Sequence, residues 1–281
     1  MDCVGRLWFA KEHGNEFDYV FCAKDNANMD GNFLRLIELL GVSRDKVHIA
    51  KNVAQFDKVI IPKCMTDSNY GYTRKWQEMF RYAADHAAIT KVPDKVYLSR
   101  GRFTQAQKKE FGEQLVEKQF VLNGYTVLYP EELSLDEQIS IFSNSSHIVC
   151  VNGTIPMNVL FANGNSDLRL IVLNKTSIYH RNLDMCCLAA GIKPEYIDVY
   201  YEPIKGFPRS LGEGPFWICV SDKLKQYFKD NCMTLSDNSD MKTLVYIQTL
   251  IKYIKMCIYI GLRDYAKGNK RLYRVIKRIR R

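Results

Sequence analysis

The chain of 281 residues is 47% hydrophobic and 25% charged, which excludes a disordered polymer and supplies the core of one large domain or two modest ones. Its formal charge of +9 is unevenly placed: residues 263–281 carry nine Lys or Arg against one acid, Asp264, so the remainder is nearly neutral. A basic tail on a neutral body points to a local contact with phosphates or an anionic membrane surface, and away from specific nucleic-acid binding.

Nine cysteines are scattered with no C-x-x-C spacing, and the adjacent Cys186 and Cys187 cannot readily bridge each other. Met1 and Asp2 open a mixed stretch that does not read as a secretory leader. The chain is therefore expected to be cytoplasmic, with reduced thiols. The most membrane-like stretch, Leu244 to Leu262, is interrupted by Lys252 and Lys255 and reads as a packing or surface helix.

In chain order, Phe17 to Cys22 predicts a strand, Asn32 to Leu40 a helix closed by Gly41, Lys46 to Ala50 a short strand and Lys58 to Pro62 another. From Tyr72 to Ile89, Trp76, Phe80, Ala83, Ala84 and Ala87 recur at helical spacing, and Val92 with Pro93 marks a junction. Residues 1–92 are thus expected to form a first α/β domain.

Beyond Pro93 the alternation is more regular. It predicts strand Lys95 to Leu98, helix Thr104 to Phe120, strand Tyr125 to Tyr129, helix Ser134 to Phe142 and strand His147 to Val151. Helix Ile155 to Ala162, strand Leu168 to Leu173 and a strand near Tyr196 to Tyr200 follow. Single helices between strands require right-handed crossovers and a parallel sheet, here spanning a second domain over 93–235. Ligands of such sheets sit at the carboxyl ends of the strands, so loops 99–103, 130–133 and 152–158 are expected along one rim.

Residues 236–281 are expected to form a helical extension. In helix Met241 to Leu262, the face of Leu244, Ile247, Ile251, Ile254, Ile258 and Leu262 is expected to cross back and pack on the first domain. After Gly268, Leu272, Val275, Ile276 and Ile279 stand among Lys and Arg. That pattern favours contact of 264–281 with an anionic bilayer over a solvated or nucleic-acid-binding tail.

Three rim segments carry candidate chemistry. Ser99, Arg100 and Arg102 follow a strand, where a planar, permanently charged guanidinium suits the oxyanions of a diphosphate; solvated loop charges are the plainer alternative. Glu131 and Glu132 precede a capping signature, Ser134 with Glu137, and one of them could accept from a ribose, although acids before a helix are also favoured by its dipole. Asn152, Gly153 and Thr154 follow an apolar strand, and a Gly there permits close backbone approach and phosphate binding by free amides. The five histidines show no metal spacing, and no Asp-x-Asp follows a strand.

Taken together and in order, these blocks resemble glycosyltransferase family 61, which includes many bacterial capsule and exopolysaccharide transferases. The resemblance rests on Tyr97 to Arg100, on Gly124 to Ser134, on Glu137 to Phe142 and on His147 to Phe161, with Asn32 to Val42 and Phe56 to Pro62 earlier. It implies a GT-B fold of two Rossmann-like domains and a nucleotide-sugar donor held by the second. It also implies inverting transfer to a hydroxyl of a surface polysaccharide or lipid-linked glycan, with neither metal nor cofactor. Arg100, supported by Arg102, would neutralise the leaving diphosphate; Glu131 or Glu132 would hold the ribose. Ser99, Asn152, Gly153, Thr154 and Asn158 would complete the donor site.

Two departures accompany the resemblance. Members usually carry His-Gly-Ala-Gly-Leu-Thr-Asn where this chain reads Asn152-Gly-Thr-Ile-Pro-Met-Asn158, so Gly153 and Asn158 match, and Asn152 cannot take up a proton. Asp2 to Leu7 looks like the end of a block whose beginning is missing, so the first domain is expected to be shortened, with Asp2 as the base by this alignment alone. Rival readings are a non-catalytic nucleotide-binding remnant and a pyruvyl transferase of similar architecture.

Overall fold

A computed structural model describes residues 4–22, 31–50, 53–67, 69, 71–162, 164–236 and 239–267, the side chains of 239–242 excepted. Asp2 and residues 268–281 therefore lie outside the described residues.

After α1 (Trp8–His13), the short strands β1 (Tyr19–Phe21) and β2 (Val47–Ile49) pair in parallel, with Tyr19 opposite Val47. Between them in sequence stands α2 (Gly31–Leu39), which buries Leu36, Ile37 and Leu39. The strand expected over Lys58 to Pro62 does not form; Val59, Ile60 and Ile61 lie exposed outside any helix or strand. At the end of this stretch, side chains take two carbonyls: Arg6 donates to Pro62 O, and Trp8 Nε1 to Lys63 O at 2.9 Å. α3 (Arg74–His86) turns Trp76, Met79, Phe80 and Ala83 inward, the i, i+3, i+4, i+7 stripe of an amphipathic helix.

The main sheet is five-stranded and wholly parallel. Its first strand is β3 (Lys95–Leu98), followed by α4 (Thr104–Gln107), a two-residue strand β4 (Glu110–Phe111) and α5 (Glu113–Val121). The single helix expected over Thr104 to Phe120 is thus broken. Gly112 has φ +94°, and a Cβ on it would stand 2.2 Å from the Ile218 carbonyl oxygen, so the chain reverses where no other residue fits.

Next come β5 (Thr126–Leu128), α6 (Leu135–Asn144), β6 (His147–Val151) and β7 (Arg169–Asn174). Ser134 and Glu137 close the expected capping box on α6. The segment Ile155–Phe161 winds as a 3-10 helix and not the expected α-helix, with Met157 N bonding Thr154 O at 3.2 Å. α7 (Arg181–Ala190), β8 (Glu195–Asp198), β9 (Phe216–Trp217) and α8 (Asp222–Asp230) follow. The sequence reading contained neither α7, β9 nor α8.

Strand order is β5-β3-β6-β7-β8, which in order of appearance is 2-1-3-4-5. The chain first builds outward from β3 to β5 and then returns to β3's other side with β6. The gap between the carboxyl ends of β3 and β6 is therefore the switch point at which doubly wound sheets bind ligands.

Both faces of this sheet are covered, because side chains alternate across a strand. Val96, Leu98, Ile148, Cys150, Leu170 and Val172 join one apolar cluster with α1, α2, α3, α6 and α7. Tyr97, Val149, Val151, Ile171 and Leu173 join another with Val116, Phe120, Leu224 and Phe228 of α5 and α8. Arg35 fastens α2 to α6 by a two-pronged contact with Asp136, at 2.8 and 2.9 Å.

The last helix, α9 (Ser239–Ala266), packs on β4 and β9 through Tyr253, Met256, Cys257 and Ile260 against Phe111 and Trp217. That is the face opposite the one expected. Leu244, Ile247, Ile251, Ile254, Ile258 and Leu262 point away from the body. By length and composition the stretch Thr243–Ala266 suffices to cross a membrane. None of the eight described cysteines is in a disulfide.

Candidate functional site

Each rim loop begins where a parallel strand ends. Ser99 and Arg100 follow β3, Tyr129 to Leu133 follow β5, and Asn152 to Thr154 follow β6; these strands are neighbours in the sheet, so the three loops line one edge.

Arg100 is buried and donates from Nε to Glu110 Oε2 at 2.8 Å. The other oxygen of Glu110 accepts from Lys175 Nζ at 2.7 Å, and both cationic side chains are buried, though less completely than the carboxylate. Burial alone would push the Glu110 carboxyl up, but the charges of Lys175 and Arg100 hold it below its ordinary value. Burial lowers Lys175, an effect that the Glu110 charge only partly offsets. Two cations on one carboxylate leave a net positive charge in a desolvated place.

The Gly153 loop lies directly against this cluster. A Cβ on Gly153 would stand 3.5 Å from Arg100 Nη1 and 4.0 Å from Lys175 Nζ. The absence of a side chain there leaves both cations open to the loop, and among the described residues the backbone amides of Gly153 and Thr154 donate to no acceptor. Such a combination of guanidinium, ammonium and free amides accepts the oxygens of a phosphate or diphosphate.

Beside it runs a chain of amides. Asn174 Nδ2 donates to Asp198 Oδ1 at 2.9 Å, Asn152 Nδ2 donates to Asn174 Oδ1 at 2.9 Å, and His180 Nδ1 lies 3.0 Å from Asn152 Oδ1. An ionised carboxylate only accepts, so Asp198 fixes the direction of every bond in the series. His180 must then carry its proton on Nδ1, which leaves the Nε2 lone pair free, with no partner among the described residues. Burial, helped by the charge of Lys175, lowers the pKa of His180 and keeps the ring neutral.

A third group lies further out on the same edge. Arg102 stacks 4.0 Å over the Tyr129 ring and donates from Nη1 to both oxygens of Glu132, at 2.9 and 3.0 Å. Glu132 is therefore engaged, whereas Glu131 is exposed and has no ion-pair partner among the described residues.

The remaining predicted residues have structural duties. Ser99 is fully buried, and its Oγ accepts from Gly101 N at 3.0 Å to shape the turn that carries Arg100. Asn158 Nδ2 donates to Gln138 Oε1 at 2.9 Å, and Gln138 in turn holds the carbonyls of Pro130 and Leu133, so Asn158 ties two rim loops together. Thr154 is exposed at the start of the 3-10 helix.

Glu110, Glu113, Lys175 and His180 had no site role in the sequence analysis, where His180 figured only among the five histidines without metal spacing. Lys175 had a signal, since it follows strand β7 on the same rim. Glu113 is buried, accepts from Arg100 N at 3.1 Å and from the Tyr97 hydroxyl at 3.3 Å, and burial raises its pKa to about 7. Glu110 had none, because its place depends on β4 pairing with β9 about a hundred residues away.

A parallel α/β sheet with a buried basic cluster at its switch point is suited to an anionic ligand. The Glycosyltransferase 61 family model matches residues 1–168, more than half of the chain. The chain belongs to that family and is a glycosyltransferase. No curated protein matches it.

Proposed function

We propose that the protein transfers a sugar from a nucleotide-diphosphate donor to a hydroxyl of a surface polysaccharide or related glycan, with inversion and without a metal. We read its two α/β portions as a GT-B arrangement, with the first portion on the acceptor side. The observation that carries this reading is the meeting of Arg100, Lys175 and Gly153 at the sheet's switch point.

In this reading the donor diphosphate lies over Gly153, between Arg100 Nη1, Lys175 Nζ and the amides of Gly153 and Thr154. As the sugar–phosphate bond breaks, its electron pair passes to the phosphate oxygen, and the two cations stabilise the added charge in a place where water is scarce. Hydrogen bonds to a charged group contribute about 1.5–3 kcal/mol each. We assign Glu131, which has no ion-pair partner among the described residues while Arg102 occupies Glu132, to accept from the ribose hydroxyls.

A proton must leave the acceptor hydroxyl as its oxygen attacks the anomeric carbon from the face opposite the diphosphate. His180 Nε2 is the group we assign to take it: neutral, with its tautomer held by the chain to Asp198, and beside the loop that receives the donor. Asn152 thus acts by orienting a base and not as one. The alignment-derived candidate, Asp2, lies outside the described residues.

The direct test incubates purified full-length protein with a panel of nucleotide sugars and measures release of nucleoside diphosphate. Release with one donor, accelerated by a glycan acceptor, is the expected result. Tight nucleotide binding with no turnover on any donor or acceptor would leave the reading of a non-catalytic relative in its place.

A further inference from the structure

We propose that the outward face of α9 lies on the surface of an anionic lipid bilayer, holding the enzyme at a membrane as an interfacial helix. Leu244, Ile247, Ile251, Ile254, Ile258 and Leu262 fall on one side of this helix at spacings of three and four, and keep between 39% and 59% of their surface exposed. A row of six large aliphatic residues on one face, each so exposed, is not a normal solvent surface.

Charge identifies the occupant. Lys252 and Lys255 stand exposed along one flank of the row, where long side chains can reach headgroups while their stems lie in the apolar layer. Between Thr243 and Ala266 the one acid is Asp264, which points to the other side of the helix and is paired with Arg263 and Lys267. Residues 268–281, which continue from the same end, contain seven Lys or Arg and no acid. An apolar stripe flanked by cations and followed by a polybasic segment is the pattern of an interfacial anchor on anionic lipid, whereas a protein partner would not require the uniform sign.

The opposite face determines how the helix meets the bilayer. Tyr253, Met256, Cys257 and Ile260 are buried against Phe111 and Trp217, so one side of α9 is committed to the enzyme body. A helix held in that way can sink its free side into the headgroup boundary but cannot be surrounded by lipid. Because β4 packs under α9 and carries Glu110, the anchor is joined to the strand that holds Arg100 and Lys175 together.

The test is co-sedimentation of the full-length protein with vesicles of phosphatidylcholine alone, or of phosphatidylcholine mixed with phosphatidylglycerol. Binding is expected to the mixed vesicles and to be released by high salt. Replacing Ile251→Glu together with Ile258→Glu is expected to lower vesicle partitioning by about tenfold or more, while Ile251→Leu with Ile258→Leu retains it. Both residues are exposed, so circular dichroism and the thermal midpoint should match those of the parent protein. Unchanged sedimentation of the Glu pair would overturn the proposal and assign any binding to other residues. Two further results would also overturn it: resistance of the bound protein to alkaline carbonate, as for a spanning helix, or failure to bind vesicles together with a dimer that the Glu pair converts to monomer.

Discussion

Arg100 and Gly153 meet across the switch point of the sheet: the guanidinium Nη1 lies 3.5 Å from where a Cβ on Gly153 would stand. The contact joins two loops some fifty residues apart in sequence, each beginning where a parallel strand ends. It places a buried cation under the backbone to which a diphosphate would bind, and that proximity organises the rest of the site.

Glu110 is the counter-charge for both cations. Glu110→Gln leaves Arg100 and Lys175 buried side by side without it, and breaking a buried ion pair in this way costs about 3–5 kcal/mol. Urea denaturation should show the loss. A change below about 1 kcal/mol would mean that solvent reaches the cluster, contrary to its burial.

His180 should set the acid side of the rate profile. Its pKa is below the ordinary histidine value, so kcat is expected to fall as pH drops below that of free imidazole and to be flat around neutrality. His180→Gln should lower kcat by about a hundredfold or more, with KM for the donor little changed, and should abolish that limb. A variant that keeps both the rate and the limb would place the base elsewhere.

Glu113 links stability to pH. Its carboxyl moves from an ordinary 4.5 to about 7 because burial disfavours the charged form. The fold therefore favours the protonated state; that contribution is fully present below pH 4.5 and is lost as pH rises through 7. Glu113→Gln keeps an oxygen for Arg100 N and the Tyr97 hydroxyl, and should be the more stable protein above pH 7 by about 3 kcal/mol. Equal stabilities at pH 5 and pH 8, measured for both proteins, would contradict this account.

Gly112→Ala tests the turn that delivers Glu110. Its positive φ and the 2.2 Å approach to Ile218 O make any side chain both strained and obstructed. We expect a loss of about 3 kcal/mol or more, seen as a lower thermal midpoint.

Much of this site was legible from local pattern. Apolar runs alternating with helices located β3, β6 and β7, and the rule that ligands sit at strand ends singled out Arg100 and Gly153. What stayed hidden depended on distant pairing. Glu110 is positioned by β4 lying against β9, and His180 by a hydrogen bond to Asn152, and neither leaves a periodic trace. The α9 error has a different cause: Tyr253, Met256, Cys257 and Ile260 make its second face apolar too, so spacing alone could not decide which side met the body. The run Val59 to Ile61 likewise has strand composition, but it pairs with no strand among the described residues, and the carbonyls just after it, of Pro62 and Lys63, accept from the Arg6 and Trp8 side chains.

The most direct test of the central claim is calorimetric titration of the wild-type protein and Gly153→Ala with uridine, guanosine and cytidine diphosphates. Gly153 has no strained backbone, and its Cβ would make only ordinary contacts, so the variant should match the wild type in thermal midpoint. The added methyl would nonetheless stand between the diphosphate and both cations. We predict that one nucleotide binds the wild type and that Gly153→Ala weakens it by about tenfold or more, or about 1.4 kcal/mol. Identical titrations of the two proteins would contradict the placement of the donor over Gly153.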